Sequence, residues 1–592
     1  MTQDNVFERI RNYENDFLNK KAKIVGGYYF DQLETIKRIH LYYASQFDNG
    51  NSDEFGYKYF YNESKPRCKN ATKNIDFDTK DIQIKAVNGG LDYHKAMIMR
   101  TDVRRWMRQR QLGKVINESV IKVPRYGTFV LKKSNSKKIV EPVDLRNIKC
   151  DTTANSLQDT WVVEDHYYTT SELRKMKDIW NSEAIELAIK SFITHRKENY
   201  DDGEISESGE KGNAQYILVK EFYDDVPENW VVDNGDNEKQ VLAQFVVIMP
   251  EDSEKKGSQN DNKKQGLTLF KEVLEDGKKD YKEVHYDRID GRWLGCGIVE
   301  DSFDGQMMKN EYINQIMLSI RLSNLILFQT EDKTLAKNIL SDLMNGDILK
   351  VKGIINRIDT TNRGTQENTI LNSEIENLLN KLSNSFEVTT GESMPSGTPL
   401  GLGQMLNQNA NKLFDFIREE IGMFWQEVFE DWIMPEIEKD LNKEHILEIL
   451  DKDQIILLNE AVKKDKVWEA IKKRILQGRG TPTQEDIQNA MQIIDDQFAT
   501  KDTIYLDLPK DFYNFKKSVE CYITDERYNK MERSQTLMTI LQTVGGNPQL
   551  LDHPIFKQLL DWAQVAPFNM PKQGAPEPNV NNAPMPAPAM NK

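Results

Sequence analysis

The sequence predicts a multidomain α+β protein, and three observations predict it. At 592 residues the chain is longer than one hydrophobic core organises, and its length implies about three or four folding units. Between 126 and 286, β-branched and aromatic segments alternate with turn residues, which indicates strands. Beyond 300, apolar residues recur every three to four positions over long stretches, which indicates helices. With 38% hydrophobic residues there is enough apolar surface to build cores, unlike the composition of a disordered chain.

Residues 1–80 combine helical spacing at Phe30, Leu33, Ile36 and Ile39 with an aromatic, polar stretch from Phe47 to Phe77 that has no clear period. From Ala96 the run MIMRTDVRRWMRQRQLGKVINESVIKV predicts a helix that docks on a sheet and stops before Pro124, with Arg104, Arg105, Arg108 and Arg110 on its wet face. YGTFVLKK and KIVEPVDLRNIKCD read as strands, and WVVEDHYYTTSELRKM as a strand followed by a helix that Thr170 or Ser171 caps. The polar stretches 200–214 and 251–266 read as exposed loops. Between and after them YILVKEFY, QVLAQFVVIMP, LTLFKEVL and YKEVHYDR supply further strands. An α+β domain over 81–298 is the economical reading.

The chain then changes character. Phe303, Met307, Ile313, Ile316, Met317 and Ile320 mark a helix over 299–324, roughly 37 Å long at 1.5 Å per residue. Residues 325–367 form a small insert that opens with the strand LILF and contains the strand DILKVKGIINRI. Its segment 333–363 carries Lys333, Lys337, Lys350, Lys352, Arg357 and Arg363 against Asp342, Asp347 and Asp359, so it is basic within an acidic chain. A second helix over 368–388 places Ile370, Leu371, Ile375, Leu378, Leu379, Leu382 and Phe386 on one side, and can pair with the first as an antiparallel hairpin. These apolar faces read as core, within and between subunits. Residues 389–403 hold four glycines and two prolines, which regular structure tolerates badly. The longest helical pattern follows over 404–440, from Leu406 through Val428, with Pro435 bending or ending it. Further helices fill 441–566, one of them starting at Gln484 with Thr483 as cap, beside the strands TIYLDL and YNFKKSVECYI. The Pro/Asn/Ala-rich segment 567–592 reads as disordered.

Composition and motifs exclude several classes. The 79 basic and 94 acidic residues leave a net charge of −15, against a protein that grips phosphates over a broad surface. Cys68, Cys150, Cys296 and Cys521 lie far apart and read as reduced thiols of a cytoplasmic setting. Met1–Lys20 reads as no secretory leader, and no apolar run reaches membrane-spanning length. There is no GxxxxGK[ST], HExxH or GxSxG. Each of the seven histidines reads as a lone polar or packed residue, so no metal, cofactor or catalytic residue is expected. Asp224–Asp225 and Asp495–Asp496 read as solvated surface.

The ordered set of α+β unit, long helix, small insert, second helix, Gly/Pro loop, longer helix and helical C-terminal region resembles the portal proteins of tailed bacteriophages. YGTFVLKK, VEPVDLRNIKCD and VVEDHYYTTSEL resemble that family's wing, and GRWLGCGIVEDSFDGQMMKNEYINQ the start of its stem. KSVECYITDER and the Asn-rich tail narrow the resemblance to the crAss-like phages. The resemblance covers about 81–545 and implies a portal-type fold: a wing (1–298), a two-helix stem (299–324 and 368–388) around a small α/β clip (325–367), a tunnel loop (389–403), a tunnel helix (404–440) and a mainly helical crown with the remainder of the wing (441–566).

It further implies a ring, a dodecamer by family precedent, at one capsid vertex of the virion, assembled in the host cytoplasm. Such a ring conducts genomic double-stranded DNA during packaging and ejection. Its other partners are the large terminase subunit, the major capsid protein and head–tail adaptors, with no membrane. The channel constriction then falls to Thr389, Thr390, Gly391, Ser393, Ser396, Gly397, Thr398, Gly401 and Gly403, and motor docking to Lys337, Lys350, Lys352, Arg357 and Arg363. An acidic chain suits a conduit, because strong phosphate contacts would brake a sliding duplex. The competing readings are a tail hub or internal scaffold and, from another class, a nuclease.

Overall fold

The computed structural model describes residues 2–19, 22–23, 29–53, 56–75, 77, 79, 82–86, 91–134, 139–201, 216–232, 235–250, 266–323, 327–329, 356–358, 365–383, 400–440, 462–463, 466–473, 484–499 and 517–521. Helices and antiparallel sheets mix as an α+β protein requires, in two compact units. One comprises Met1–Thr79 and Arg110–Val428, the other Lys80–Gln109 and Phe429–Lys592. Residues 80–109 thus group with the chain beyond 428 rather than with the strands that follow them.

The first unit opens with α1 (Thr2–Asn19), the short pair β1 (Ala22–Lys23) and β2 (Tyr29–Phe30), α2 (Gln32–Tyr43), the short pair β3 (Ser52–Asp53) and β4 (Gly56–Tyr57), and α3 (Ser64–Ile75). β5 (Ile82–Ala86) and α4 (Leu91–Gln109) belong to the second unit, and α5 (Leu112–Tyr126) to the first. The single helix expected from 96 to before Pro124 is divided instead at Gln111, whose φ of 55° is left-handed. Pro124 lies inside α5. Its missing donor and ring clash disfavour continuation, and the helix stops two residues later. Gly127 caps it with φ of 76°. A Cβ there would fall 2.2 Å from the Gly295 carbonyl oxygen, so position 127 requires glycine twice over.

Next come β6 (Thr128–Lys133), β7 (Val140–Pro142), β8 (Ile148–Cys150), β9 (Val162–Tyr168), α6 (Thr170–Lys175), α7 (Ser182–Asp201), β10 (Ile217–Pro227), β11 (Gln240–Ile248), β12 (Leu267–Val273) and β13 (Tyr281–His285). They form a five-stranded antiparallel sheet, β12-β11-β10-β9-β8, and a three-stranded one, β13-β6-β7. The cap of α6 is Thr169, one residue before the two expected. It forms a capping box with Glu172, because glutamate stands three residues after Thr169 and not after Thr170 or Ser171.

Both faces of the five-stranded sheet are covered, so its central strand β10 is buried on both sides, Lys220, Glu221 and Asp224 included. Val163, Phe222, Val226, Ala243, Phe245 and Val247 pack against Val6, Phe7 and Ile10 of α1. The opposite face packs in two places. Val162 and Tyr223 join Val130, Tyr281 and Trp293 of the three-stranded side, and Val219 and Val246 join Ile185, Ala188 and Ile189 of α7. Each such aliphatic or aromatic side chain contributes about 1.5–3 kcal/mol on burial. The far side of the small sheet meets a later helix through Phe129 and Phe424, ring centroids 6.2 Å apart.

The unit continues with α8 (Ile298–Asp301), α9 (Phe303–Ser323), the paired β14 (Leu327–Gln329) and β15 (Asn356–Ile358), α10 (Thr365–Leu382) and α11 (Leu400–Val428). In α11, Phe414, Ile417, Ile421, Phe424, Trp425 and Val428 are buried, the face that the sequence spacing marks. In the second unit β5 pairs with β16 (Lys517–Cys521). The unit also holds a π-helical turn at Phe429–Ile433, α12 (Met434–Asp440) and α13 (Gln484–Ala499). The turn absorbs the disruption from Pro435 that the sequence anticipates. Cys68, Cys150 and Cys296 are buried free thiols. Among the described residues no helix is long and apolar enough to cross a membrane.

Candidate functional site

Of the residues assigned to a channel constriction, Thr389, Thr390, Gly391, Ser393, Ser396, Gly397 and Thr398 lie outside the described residues. Gly401 and Gly403 do not sit in a loop. They lie in the first turn of α11, which starts at Leu400, immediately after Pro399, so the boundary expected at 403 moves back by that turn. Of the basic residues in the insert, Lys337, Lys350, Lys352 and Arg363 lie outside the described residues, and Arg357 sits on β15 opposite Phe328.

The two long helices around that insert are brought together. α9 and α10 pack antiparallel, with Gly305 against Leu379 and Lys309 Nζ 3.4 Å from Glu376 Oε2. A Cβ on Gly305 would fall 2.6 Å from Leu379, so glycine sets the closeness of the hairpin. The polarity of α9 is inverted. Its buried positions are Gln306, Lys309 and Asn310, whereas Met307 (57%), Met308, Leu318 and Ile320 are exposed. α10 buries Ile375 and Leu379 yet exposes Ile370 (61%), Leu371, Leu378 and Leu382. Among the described residues these apolar faces are thus covered only in part: Ile375 and Leu379 are buried and Phe303, Ile313, Ile316 and Met317 half-buried, while the inner side of α9 is occupied by a polar strap.

That strap is the segment Tyr59–Ser64. Asn314 accepts from the Tyr59 backbone N–H at 2.8 Å and donates to its carbonyl at 3.0 Å. Asn310 accepts from the Tyr61 N–H at 2.9 Å, and Gln306 donates to the Tyr61 carbonyl at 2.5 Å and accepts from the Glu63 N–H at 2.8 Å. Three amides at i, i+4 and i+8 share one helix flank and bind alternate residues of an extended chain. Below them, Glu63 pairs with Arg67 and Lys309, and Arg67 donates to Asn380 at 2.7 Å. Burial raises the Glu63 carboxyl pKa, but Lys309 and Arg67 outweigh it and hold it below its ordinary value.

A second polar cluster lies between the two sheets. Lys132 of β6 donates to Glu164 at 2.9 Å and to Glu221, and its Nζ is 3.3 Å from His166 Nε2. His166 Nε2 lies 3.0 Å from Glu221 and 3.3 Å from Glu164. Tyr281 donates to Glu164 at 2.6 Å, while Tyr223 and Gln244 donate to Glu221 at 2.6 and 2.7 Å. Register explains the convergence: Glu164 faces Glu221 across β9 and β10, and Lys132 pairs with Tyr281. Burial lowers the pKa of His166, but its hydrogen bonds to the two glutamates prevail and push it up to about 9. Burial raises Glu221, which Lys132 and His166 then hold far below the usual carboxylate range.

Glu164, His166 and Glu221 bring their ligand atoms within 4.8 Å of one another, as a metal site would. The Lys132 ammonium sits among them and supplies the cation. Two positive and two negative groups neutralise one another, and Tyr281, Tyr223 and Gln244 add further hydrogen bonds to the carboxylates. The chemistry is that of an ionic clamp joining two sheets. On the opposite sheet face Lys149 and Lys220 pair with Glu14 and Asp165. Two readings are corrected here. His166 is not a lone polar residue, and Asp224 is buried, paired with Arg9 at 2.7 Å and accepting from Tyr13. The available signal was charge inside strand-like text, VVEDHYY and ILVKEFY, together with the Gln306, Asn310 and Asn314 spacing.

Compared with known proteins, the chain matches no family model and no curated protein.

Proposed function

We propose that the chain is a structural subunit of a phage portal, a ring at one capsid vertex through which double-stranded DNA is packaged and ejected. The observation that carries this reading is the hairpin of α9 and α10. It is anchored to the α+β unit by buried polar and ionic contacts, while eight large apolar side chains stand exposed along it. Exposed apolar side chains gathered on one hairpin supply surface for association with further copies. Copies placed side by side around an axis would cover it with the heterologous contacts that a closed ring uses. The hairpin ends in the paired strands β14 and β15, where the basic insert would dock the packaging motor and later the head–tail adaptors.

The test is the assembly state of the purified chain. Negative-stain images are expected to show closed rings with a central hole, of about a dozen subunits by family precedent. Ile370→Asp with Leu378→Asp should shift the mass to that of a single chain while leaving its circular dichroism unchanged. A wild-type chain that stays monomeric at high concentration overturns the proposal.

A further inference from the structure

We propose that an arginine ladder on α4 binds the phosphate backbone of double-stranded nucleic acid. The helix is amphipathic: Ala96, Met99, Val103, Trp106 and Met107 are buried, and the helix packs on β5. On another flank Arg100, Arg104 and Arg108 follow at i, i+4 and i+8, rungs about 6 Å apart. The segment RTDVRRWMRQR, residues 100–110, holds five arginines and one acidic residue in a chain of net charge −15. Arg104 and Arg108 are exposed. Among the described residues neither has a carboxylate partner. Arg104 is desolvated by its surroundings and repelled by Arg100 and Arg108, and every one of these influences lowers its pKa. A helix that stacks like charges at this spacing is destabilised by them, and a polyanion laid along the ladder reverses the sign of that interaction.

Phosphate is the anion that fits best. A duplex strand offers one charge per 3.4 Å of axis, so a ladder of about 12 Å spans three or four phosphates. The guanidinium fork binds phosphate oxygens in pairs where an ammonium acts as a point charge. The acidic remainder of the chain repels DNA and restricts the grip to these few contacts. Arg100 is half-buried and donates to the Ile84 carbonyl at 2.9 Å, so the exposed Arg104 and Arg108 neutralise about two phosphates and give a salt exponent near −1.8, a hold that a sliding duplex can break. The proposal rests on the conduit reading for why a duplex meets this surface, and the test separates the two.

Full-length chain is titrated with a fluorescent random-sequence duplex, and anisotropy is followed between about 50 and 200 mM salt. Wild type should bind, weakening roughly 12-fold over that range. Arg104→Glu with Arg108→Glu should lose at least about tenfold in affinity at low salt, with assembly by negative stain unchanged, and Arg104→Lys with Arg108→Lys should keep part of the binding. A glutamate variant that binds as tightly as wild type, or a wild type that does not bind, overturns the ladder whatever the ring does. Loss of assembly in the glutamate variant also overturns it and assigns the stripe to a contact between copies. Ladder-dependent binding by a monomeric chain keeps this proposal and sinks the portal.

Discussion

Replacing Lys132 by methionine tests the account of the clamp between the sheets. The substitution keeps volume and removes one cation, leaving Glu164 and Glu221 buried with His166 as their sole positive partner. Removing one partner of a buried ion pair costs about 3–5 kcal/mol. The clamp belongs to a unit of about 400 residues, whose unfolding entropy at about 2.1 cal/mol/K per residue turns this into a fall in Tm of roughly 4–6 °C, readable by scanning fluorimetry. The pH dependence has a definite sign. In wild type Glu164 and Glu221 have pKa values depressed by folding, so their contribution is present above the ordinary carboxylate pKa and is lost as pH falls below it. In the variant the crowded pair must hold a proton, its effective pKa rises, and stability improves as pH falls. The two Tm curves should converge in acid, and adding Glu221→Gln should recover part of the loss at neutral pH. A variant within about 1 °C of wild type at neutral pH would refute the reasoning. So would a wild type whose Tm rises on adding divalent zinc or manganese, since that cation would have displaced the ammonium.

Two further outcomes follow from the same geometry. The folded pKa of His166 lies at about 9 against an ordinary 6.5, so its contribution is complete below 6.5 and disappears as pH rises through about 9. That is on the order of 3 kcal/mol, seen as a decline in wild-type stability across this window that His166→Gln flattens. Gln306→Ala leaves the Glu63 N–H and the Tyr61 carbonyl without their partner, at a cost of about 1–3 kcal/mol. Limited proteolysis should then cut the Tyr59–Ser64 segment faster, and an unchanged cleavage pattern would show that the amide ladder does not hold the strap.

The strands between 126 and 286 were legible because alternation and turn residues act locally. The fused helix at 96–123 was not, since its break at Gln111 rests on a left-handed backbone that glutamine adopts only under tertiary constraint. The long helices were legible in existence and approximate extent. The sidedness of α11 was legible too; that of α9 and α10 was not, because apolar spacing marks a face without saying what covers it. The ionic clamp escaped for a related reason. Glu164, His166 and Glu221 are brought together by strand register, and Lys132 comes from a different sheet. No spacing along the chain encodes that meeting.

The amide contacts of α9 have an evolutionary corollary. Asn314, Asn310 and Gln306 grip peptide groups, not the tyrosine rings that project from them. This backbone grip is indifferent to the side chain at positions 59 and 61, provided neither becomes proline, which lacks the N–H that Asn314 or Asn310 needs. Constancy is to be sought first in the three helix amides.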